Sequence, residues 1–189
     1  MRYFTAVLDA SVLFSAPLRD LLMRLAARDL YKPKWTELIH IEWMSAILKR
    51  RPDINQKQVE RTREQMDAFV LDAIVTDFEA LIPGLNLPDP NDRHVLAAAI
   101  KGQADIIITN NLKDFPSGVL SLYNIQAKHP DTFIFELMEL AGPEVLITMR
   151  IHRSKLQNPP KTPEEYLATM EKQGLVQTVG FVKKFKDLI

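Results

Sequence analysis

Four acidic side chains, Asp9, Glu42, Asp92 and Asp114, with the amide of Asn111 near the last, are the residues whose types and settings could do chemistry. Asp9 directly follows an apolar run in Val7-Leu8-Asp9-Ala10-Ser11-Val12-Leu13. A carboxylate there is costly unless something positive meets it; the alternative is a turn aspartate bonding to nearby backbone amides. Glu42 lies among Leu38, Ile39, Ile41, Trp43, Met44, Ala46, Ile47 and Leu48, a helix apolar on nearly every side and therefore expected to be buried. Glu42, Ser45 and Lys49 form one polar line along it, which suits the wall of a cleft or an ion pair between Glu42 and Lys49. Glu37, just after the Thr36 cap, is assigned to the helix dipole. Asp92 opens the apolar series Val95, Leu96, Ala99 and Ile100 and so points toward the core side, while Asp89 and Asp92 also read as a capping box. Asn111 and Asp114 are oxygen donors in Thr109-Asn110-Asn111-Leu112-Lys113-Asp114-Phe115-Pro116, where a polar loop capping the next turn is the alternative. If one crevice collects these acids, they cannot all stay ionised without a counter-charge, and hard oxygen ligands select Mg²⁺ or Mn²⁺. Such a site serves in-line phosphoryl displacement, with two ions ~4 Å apart activating a water and stabilising the leaving oxygen.

The elements that must position these residues alternate between strand and helix. Tyr3 to Leu8 reads as a buried strand, and Pro17 sits just inside a helix running through Leu21, Leu22, Leu25 and Ala26. An extended piece at Tyr31 to Trp35 precedes a helix capped by Thr36 and reaching about Lys49. Asn55 caps the next, Gln56 to Leu71, and Ala73 to Val75 is a weak strand candidate. Pro88-Asp89-Pro90 opens a helix to about Lys101, Asp105 to Thr109 is the clearest strand, a helix follows Ser117, and Asn124 to Lys128 is a short strand candidate. This alternation implies an α/β fold with a mainly parallel sheet covered on both faces. In such a sheet the crevice lies outside the carboxyl ends of the strands, where Asp9 and the loop from Thr109 emerge. From Pro130 the pattern is wholly helical, broken at Gly142-Pro143, Asn158-Pro159-Pro160 and Gly174. Its apolar set, Tyr166, Leu167, Phe181, Val182 and Phe185, is expected to pack on the core or bind a partner.

Composition narrows the class. A chain of 189 residues fits one domain with a helical appendage. It has no apolar stretch near the ~20 residues of a membrane span and no signal-peptide pattern at its start. The absence of cysteine rules out a disulfide framework and thiolate metal sites, so a cytoplasmic location is expected. A formal net charge of zero argues against binding nucleic acid by bulk charge and leaves a local patch or a bound ion to do so. Arg93, Lys49-Arg50-Arg51 and Arg150, Arg153 and Lys155 are the basic candidates, Arg93 the best placed because it adjoins Asp92.

Leu8-Asp9-Ala10-Ser11-Val12-Leu13, Glu42-Trp43, Asp92-Arg93-His94-Val95-Leu96-Ala97-Ala98-Ala99 and Ile108-Thr109 with Lys113-Asp114-Phe115, in that order over roughly residues 1–135, resemble PIN domains, in particular the toxin halves of VapBC-type toxin–antitoxin pairs. The resemblance implies a PIN-like three-layer α/β/α fold with a nuclease domain at 1–135, and the helical pattern beyond it, outside the resemblance, reads as a C-terminal extension at 136–189. It also implies Mg²⁺- or Mn²⁺-dependent endoribonuclease activity on RNA, a homodimer and a small neutralising antitoxin. Asp9, Glu42 and Asp92 take the family's metal-ligand roles. Asn111 stands where many relatives carry an aspartate, so Asp114, before Phe115, is assigned as the fourth carboxylate and Asn111 as an auxiliary oxygen donor.

Two readings compete with this one. His40, His94, His129 and His152 could supply metal-free acid–base chemistry on the RNA 2′-hydroxyl, although no two share a motif. The neutral Asn111 also suits a catalytically weak PIN-like module that binds RNA or protein. DNA as substrate stays open, because 2′-hydroxyl recognition leaves no signature here.

Overall fold

Two short apolar runs, Ala6-Val7-Leu8 and Ile106-Ile107-Ile108, decide the architecture, because only central strands of a parallel sheet bury both faces of such a run. The structure, a computed structural model, describes residues 4–189, so Tyr3 of the first expected strand lies outside the described residues. β1 (Thr5–Leu8), β2 (Lys32–Lys34), β3 (Ile106–Ile108) and β4 (Gln126–Lys128) form a parallel sheet in the order β2-β1-β3-β4. Val7 lies opposite Lys34 on one side and Ile107 on the other, and Ile107 opposite Ala127. The expected strand at Ala73 to Val75 is a single parallel bridge between Ile74 and Trp35, just beyond β2.

The helices are α1 (Ala10–Leu13), α2 (Ala16–Ala26), α3 (Glu37–Arg50), α4 (Gln56–Phe69), α5 (Arg93–Lys101), α6 (Ser117–Leu120), α7 (Pro130–Lys155), α8 (Pro163–Lys172) and α9 (Val176–Val182). Several starts follow from local chemistry. Thr36 Oγ1 accepts from Ile39 N at 3.2 Å, and Asn55 with Gln58, like Thr162 with Glu165, closes a capping box. From β1 the chain moves to β2, then crosses back to β3 and on to β4. Crossovers between parallel strands are right-handed as a rule, so these two opposite directions put α2 and α5 on opposite faces of the sheet, in line with the expected three-layer α/β/α arrangement. β1 and β3 flank the point where the direction reverses, so a crevice opens at their carboxyl ends.

Two expectations are corrected. The helix expected from Pro90 begins as a single 3-10 turn, Pro90–Asp92, and becomes α-helical only at Arg93. Helix α3 is not buried on all sides. Ile39, His40, Trp43, Met44 and Ile47 face the core, while Leu38, Glu42, Ser45 and Lys49 are exposed and Ile41 is 47% exposed. Apolar residues on a helix do not by themselves enclose it, and among the described residues this side stays largely open to solvent.

The helical tail is packed onto the α/β unit. α7 consists of two helical segments that meet at a kink at Ala141 (φ −148°, ψ 49°). Pro143 has no N–H to donate and its ring crowds the preceding turn, so the helical path breaks here, one residue before the Gly142-Pro143 pair expected to interrupt it. The boundary expected at residue 135 falls inside this helix. α2 packs against both α7 and α8. Tyr166, Leu167 and Val182 are buried, Phe181 is half-buried, and Phe185 stays partly open to solvent. Asp131 secures α9 by accepting from Thr178 N at 2.9 Å with Oδ1 and from Gln177 N at 2.7 Å with Oδ2. His152 Nδ1 lies 2.9 Å from the Tyr166 hydroxyl, and its Nε2 is 3.2 Å from Asp20. Burial pushes the His152 pKa down to about 4, so at neutral pH the imidazole at this joint between α2, α7 and α8 is neutral.

Candidate active site

Asp9 sits where β1 ends, and its backbone N–H donates to Ile108 O at 3.0 Å, one step beyond the ladder. Only 5% exposed, it meets its donors on one oxygen: Oδ2 accepts from Ser11 Oγ at 2.6 Å and from Thr109 Oγ1 at 2.8 Å. Each hydroxyl in turn accepts a loop amide, Ser11 from Asn110 N at 3.1 Å and Thr109 from Asn111 N at 3.0 Å. Asp9 is therefore not a turn aspartate serving its own backbone, and it makes no side-chain cap on α1. It ties the end of β1 to the loop leaving β3. Ser11 and Thr109 were not among the site residues expected from sequence. The signal for Thr109 was its place directly after three isoleucines, which parallel pairing of Leu8 with Ile108 sets beside Asp9.

Glu42 projects from the open side of α3, with its side chain 43% exposed. Its partner is not Lys49: Oε1 lies 2.8 Å from His94 Nε2, two residues past Asp92 in the chain. Glu37, assigned to structure, sits in the first turn of α3 and pairs with Arg63 at 2.5 Å.

Asp92 is half-buried and makes no capping bond; Asp89 caps this turn instead, accepting from Asn91 N at 2.8 Å. The capping-box reading of Asp89 and Asp92 is thus not realised. Burial, reinforced by the negative charges of Asp9, Asp89, Asp114 and Glu42, pushes the Asp92 carboxyl up to about 6. Asp9, Glu42, Asp92 and Asp114 therefore share one electrostatic neighbourhood. Asp114 reaches it from the 3-10 turn Leu112–Asp114, half-buried, whereas Asn111 is exposed at the head of that turn.

The raised Asp92 pKa has a stability consequence. Between the ordinary 3.8 and about 6 the folded chain binds more protons at this group than the unfolded chain does. Its contribution is thus intact below pH 3.8 and lost as pH rises through 6. Without metal, Asp92→Asn should melt above wild type at pH 7.5, and the gap should close at pH 3.5. Thermal melts at both values check this, and a variant that melts lower at pH 7.5 would place no strain at Asp92.

Among the described residues no three His, Asp or Glu side chains already converge as a ligand set. The donors nonetheless fit a divalent cation in chemistry and in charge. All are hard oxygens, and the conflict at Asp92 is one that a cation would relieve. Of the basic candidates, Arg51 is held by Asp53 through bonds of 2.8 and 2.6 Å, Arg50 lies over the Phe14 ring at 5.2 Å, and Arg153 donates to Lys161 O. The histidines also have local partners. His40 lies 3.0 Å from Asp67, His129 caps α7, and His152 meets Tyr166. None of these three faces the acids.

A family profile described as PIN domain matches residues 5–113, and one described as VapC50 C-terminal domain matches residues 130–184. Over 82 residues the chain is 38% identical to "Putative ribonuclease VapC50" of Mycobacterium tuberculosis (strain ATCC 25618 / H37Rv), covering 43% of this chain and 48% of that protein. The match thus spans about half the length of the curated relative. No solved structure matches the chain.

Proposed function

From the premise that this chain belongs to the PIN-domain family, we propose that it is a Mg²⁺- or Mn²⁺-dependent endoribonuclease and the toxin of a toxin–antitoxin pair. The observation that carries this reading is the placement of Asp9 at the end of β1, tied through Thr109 to the loop that leaves β3 and carries Asp114, beside Asp92, whose carboxyl burial and the neighbouring acids push up. A site built only to fold would not gather uncompensated charge at the switch point of its sheet. The relative named as a ribonuclease supports RNA as the substrate class.

In this reading Asp9, Glu42, Asp92 and Asp114 hold the cation, and the Asn111 carbonyl supplements them. When bound, it supplies the positive charge that assists water attack at phosphorus and steadies the departing oxygen. The chain's own groups prepare that site. Ser11 and Thr109 hold Asp9 Oδ2, and the same hydroxyls pin the Asn110 and Asn111 amides, so the loop and the carboxylate are fixed together. Arg93 is proposed as the phosphate contact beside them. The nuclease unit is proposed to comprise residues 1–135, with 136–189 as a helical extension that seals the α2 flank. A homodimer, a small antitoxin and a cytoplasmic location complete the proposal. Among the described residues, no helix is long and apolar enough to cross a membrane.

The test is cleavage of single-stranded RNA by the purified chain with Mn²⁺ or Mg²⁺, abolished by EDTA; cleavage that persists in EDTA overturns the proposal. The fourth donor is tested separately. Asp114 adds charge at Asp92 while exposed Asn111 adds none. Asp114→Asn should therefore raise the Mn²⁺ concentration for half-maximal cleavage more than Asn111→Ala does. The reverse ranking would transfer the role to Asn111.

A further inference from the structure

We propose that His94 is a positioning residue for Glu42, holding Oε1 so that Oε2 is presented to a cation. The inference rests on the metal-site reading above and adds a residue to it. His94 is 7% exposed in the first turn of α5, and its Nε2 lies 2.8 Å from Glu42 Oε1. Its other ring nitrogen, Nδ1, is buried and has no hydrogen-bond partner among the described residues. A buried N–H without an acceptor costs more than a buried lone pair, which assigns the ring proton to Nε2, facing the carboxylate. His94 is thus a donor to Glu42.

Glu42 needs such a donor. Its side chain is 43% exposed and carries three rotatable bonds, and His94 is its only hydrogen-bond partner among the described residues. Left alone it would sample rotamers, and any ligand it bound would have to order it. A ring locked in the core supplies that order in advance, as hydroxyls do for Asp9. The arrangement also couples α3 to α5 next to Asp92, so two acids from separate elements are registered to each other. A histidine that merely satisfies its own N–H would sit equally well here, and ion binding separates the two roles.

The experiment uses the full chain and Mn²⁺ alone as probe, with bound ion read by electron paramagnetic resonance and folding by circular dichroism. His94→Leu should weaken Mn²⁺ binding about tenfold or more, and His94→Gln, whose amide can donate over a similar reach, should stay within about threefold of wild type. His94→Asn, too short to reach Glu42, should behave like His94→Leu and serves if the latter does not fold. Nitrogen-15 spectra of the metal-free wild type should show His94 protonated at Nε2. The opposite tautomer overturns the inference, as does undiminished Mn²⁺ affinity in folded His94→Leu or His94→Asn. If wild type binds no Mn²⁺ while the Nε2–H tautomer is present, the metal reading has failed rather than the contact between His94 and Glu42, and the positioning role falls with it.

Discussion

Asp9→Asn, Glu42→Gln and Asp92→Asn should each lose at least ~100-fold of Mn²⁺-dependent RNA cleavage, about 2.7 kcal/mol of barrier, while remaining folded. Retained folding follows from the contacts. Asn at position 9 keeps an oxygen to accept the Ser11 and Thr109 hydroxyls, so the loop from Thr109 stays tied to β1. Gln at position 42 keeps an acceptor for His94 Nε2. Asn at position 92 removes a carboxyl that burial and four neighbouring acids disfavour. Each variant thus subtracts charge and leaves shape nearly intact, so a loss of rate cannot be assigned to unfolding. Initial rates alongside melting curves decide it. A variant that cuts at close to the wild-type rate takes its residue out of the catalytic set.

Truncation after Ala141 should cost far more, namely the soluble fold itself. The removed segment supplies Val145, Met149, Tyr166, Leu167, Met170, Leu175, Val179 and Val182, all buried. Its loss strips α8 and the second half of α7 from the face of the molecule where both helices pack against α2. A fully buried side chain of this size contributes ~1.5–3 kcal/mol, against a total stability of ~5–15 kcal/mol for a whole domain. The truncated chain should be insoluble or molten, with lost near-ultraviolet dichroism, whereas a cooperatively melting product would show the tail to be an independent appendage.

The strands and most helix starts were legible because their signals are local. A triple isoleucine has few places to go but a central strand, and Thr36, Asn55 and Pro17 announce helix starts through their own backbone chemistry. The acids were legible from their settings: Asp9 closes a strand, Asp114 lies in the loop leaving one, Asp92 opens an apolar helix register, and Glu42 interrupts an apolar helix. What the sequence hid was pairing across distance. Nothing within the α3 segment reveals that its open side faces His94, fifty-two positions away, so Lys49 was the natural partner to expect. Nor could periodicity show that α3 stays largely open on one side, because an apolar stripe reports what could be buried and not what comes to bury it. Register between β1 and β3 likewise had to be formed before Thr109 could be seen beside Asp9. The strain also fell elsewhere than at the first acid. Asp9 is met by two hydroxyls, and the unmet charge lies on Asp92.

The central claim, that these carboxylates form one divalent-cation site, is tested most directly by melting wild type and Asp92→Asn with and without Mn²⁺. An ion that binds only the folded chain stabilises it by RT ln(1 + [L]/Kd), about 2.7 kcal/mol at a hundredfold excess over Kd. Wild type should therefore gain melting temperature with Mn²⁺ and lose the gain on adding EDTA, while Asp92→Asn should start higher and gain much less. No gain in wild type, or an equal gain in both proteins, would contradict a shared site at Asp9, Glu42, Asp92 and Asp114.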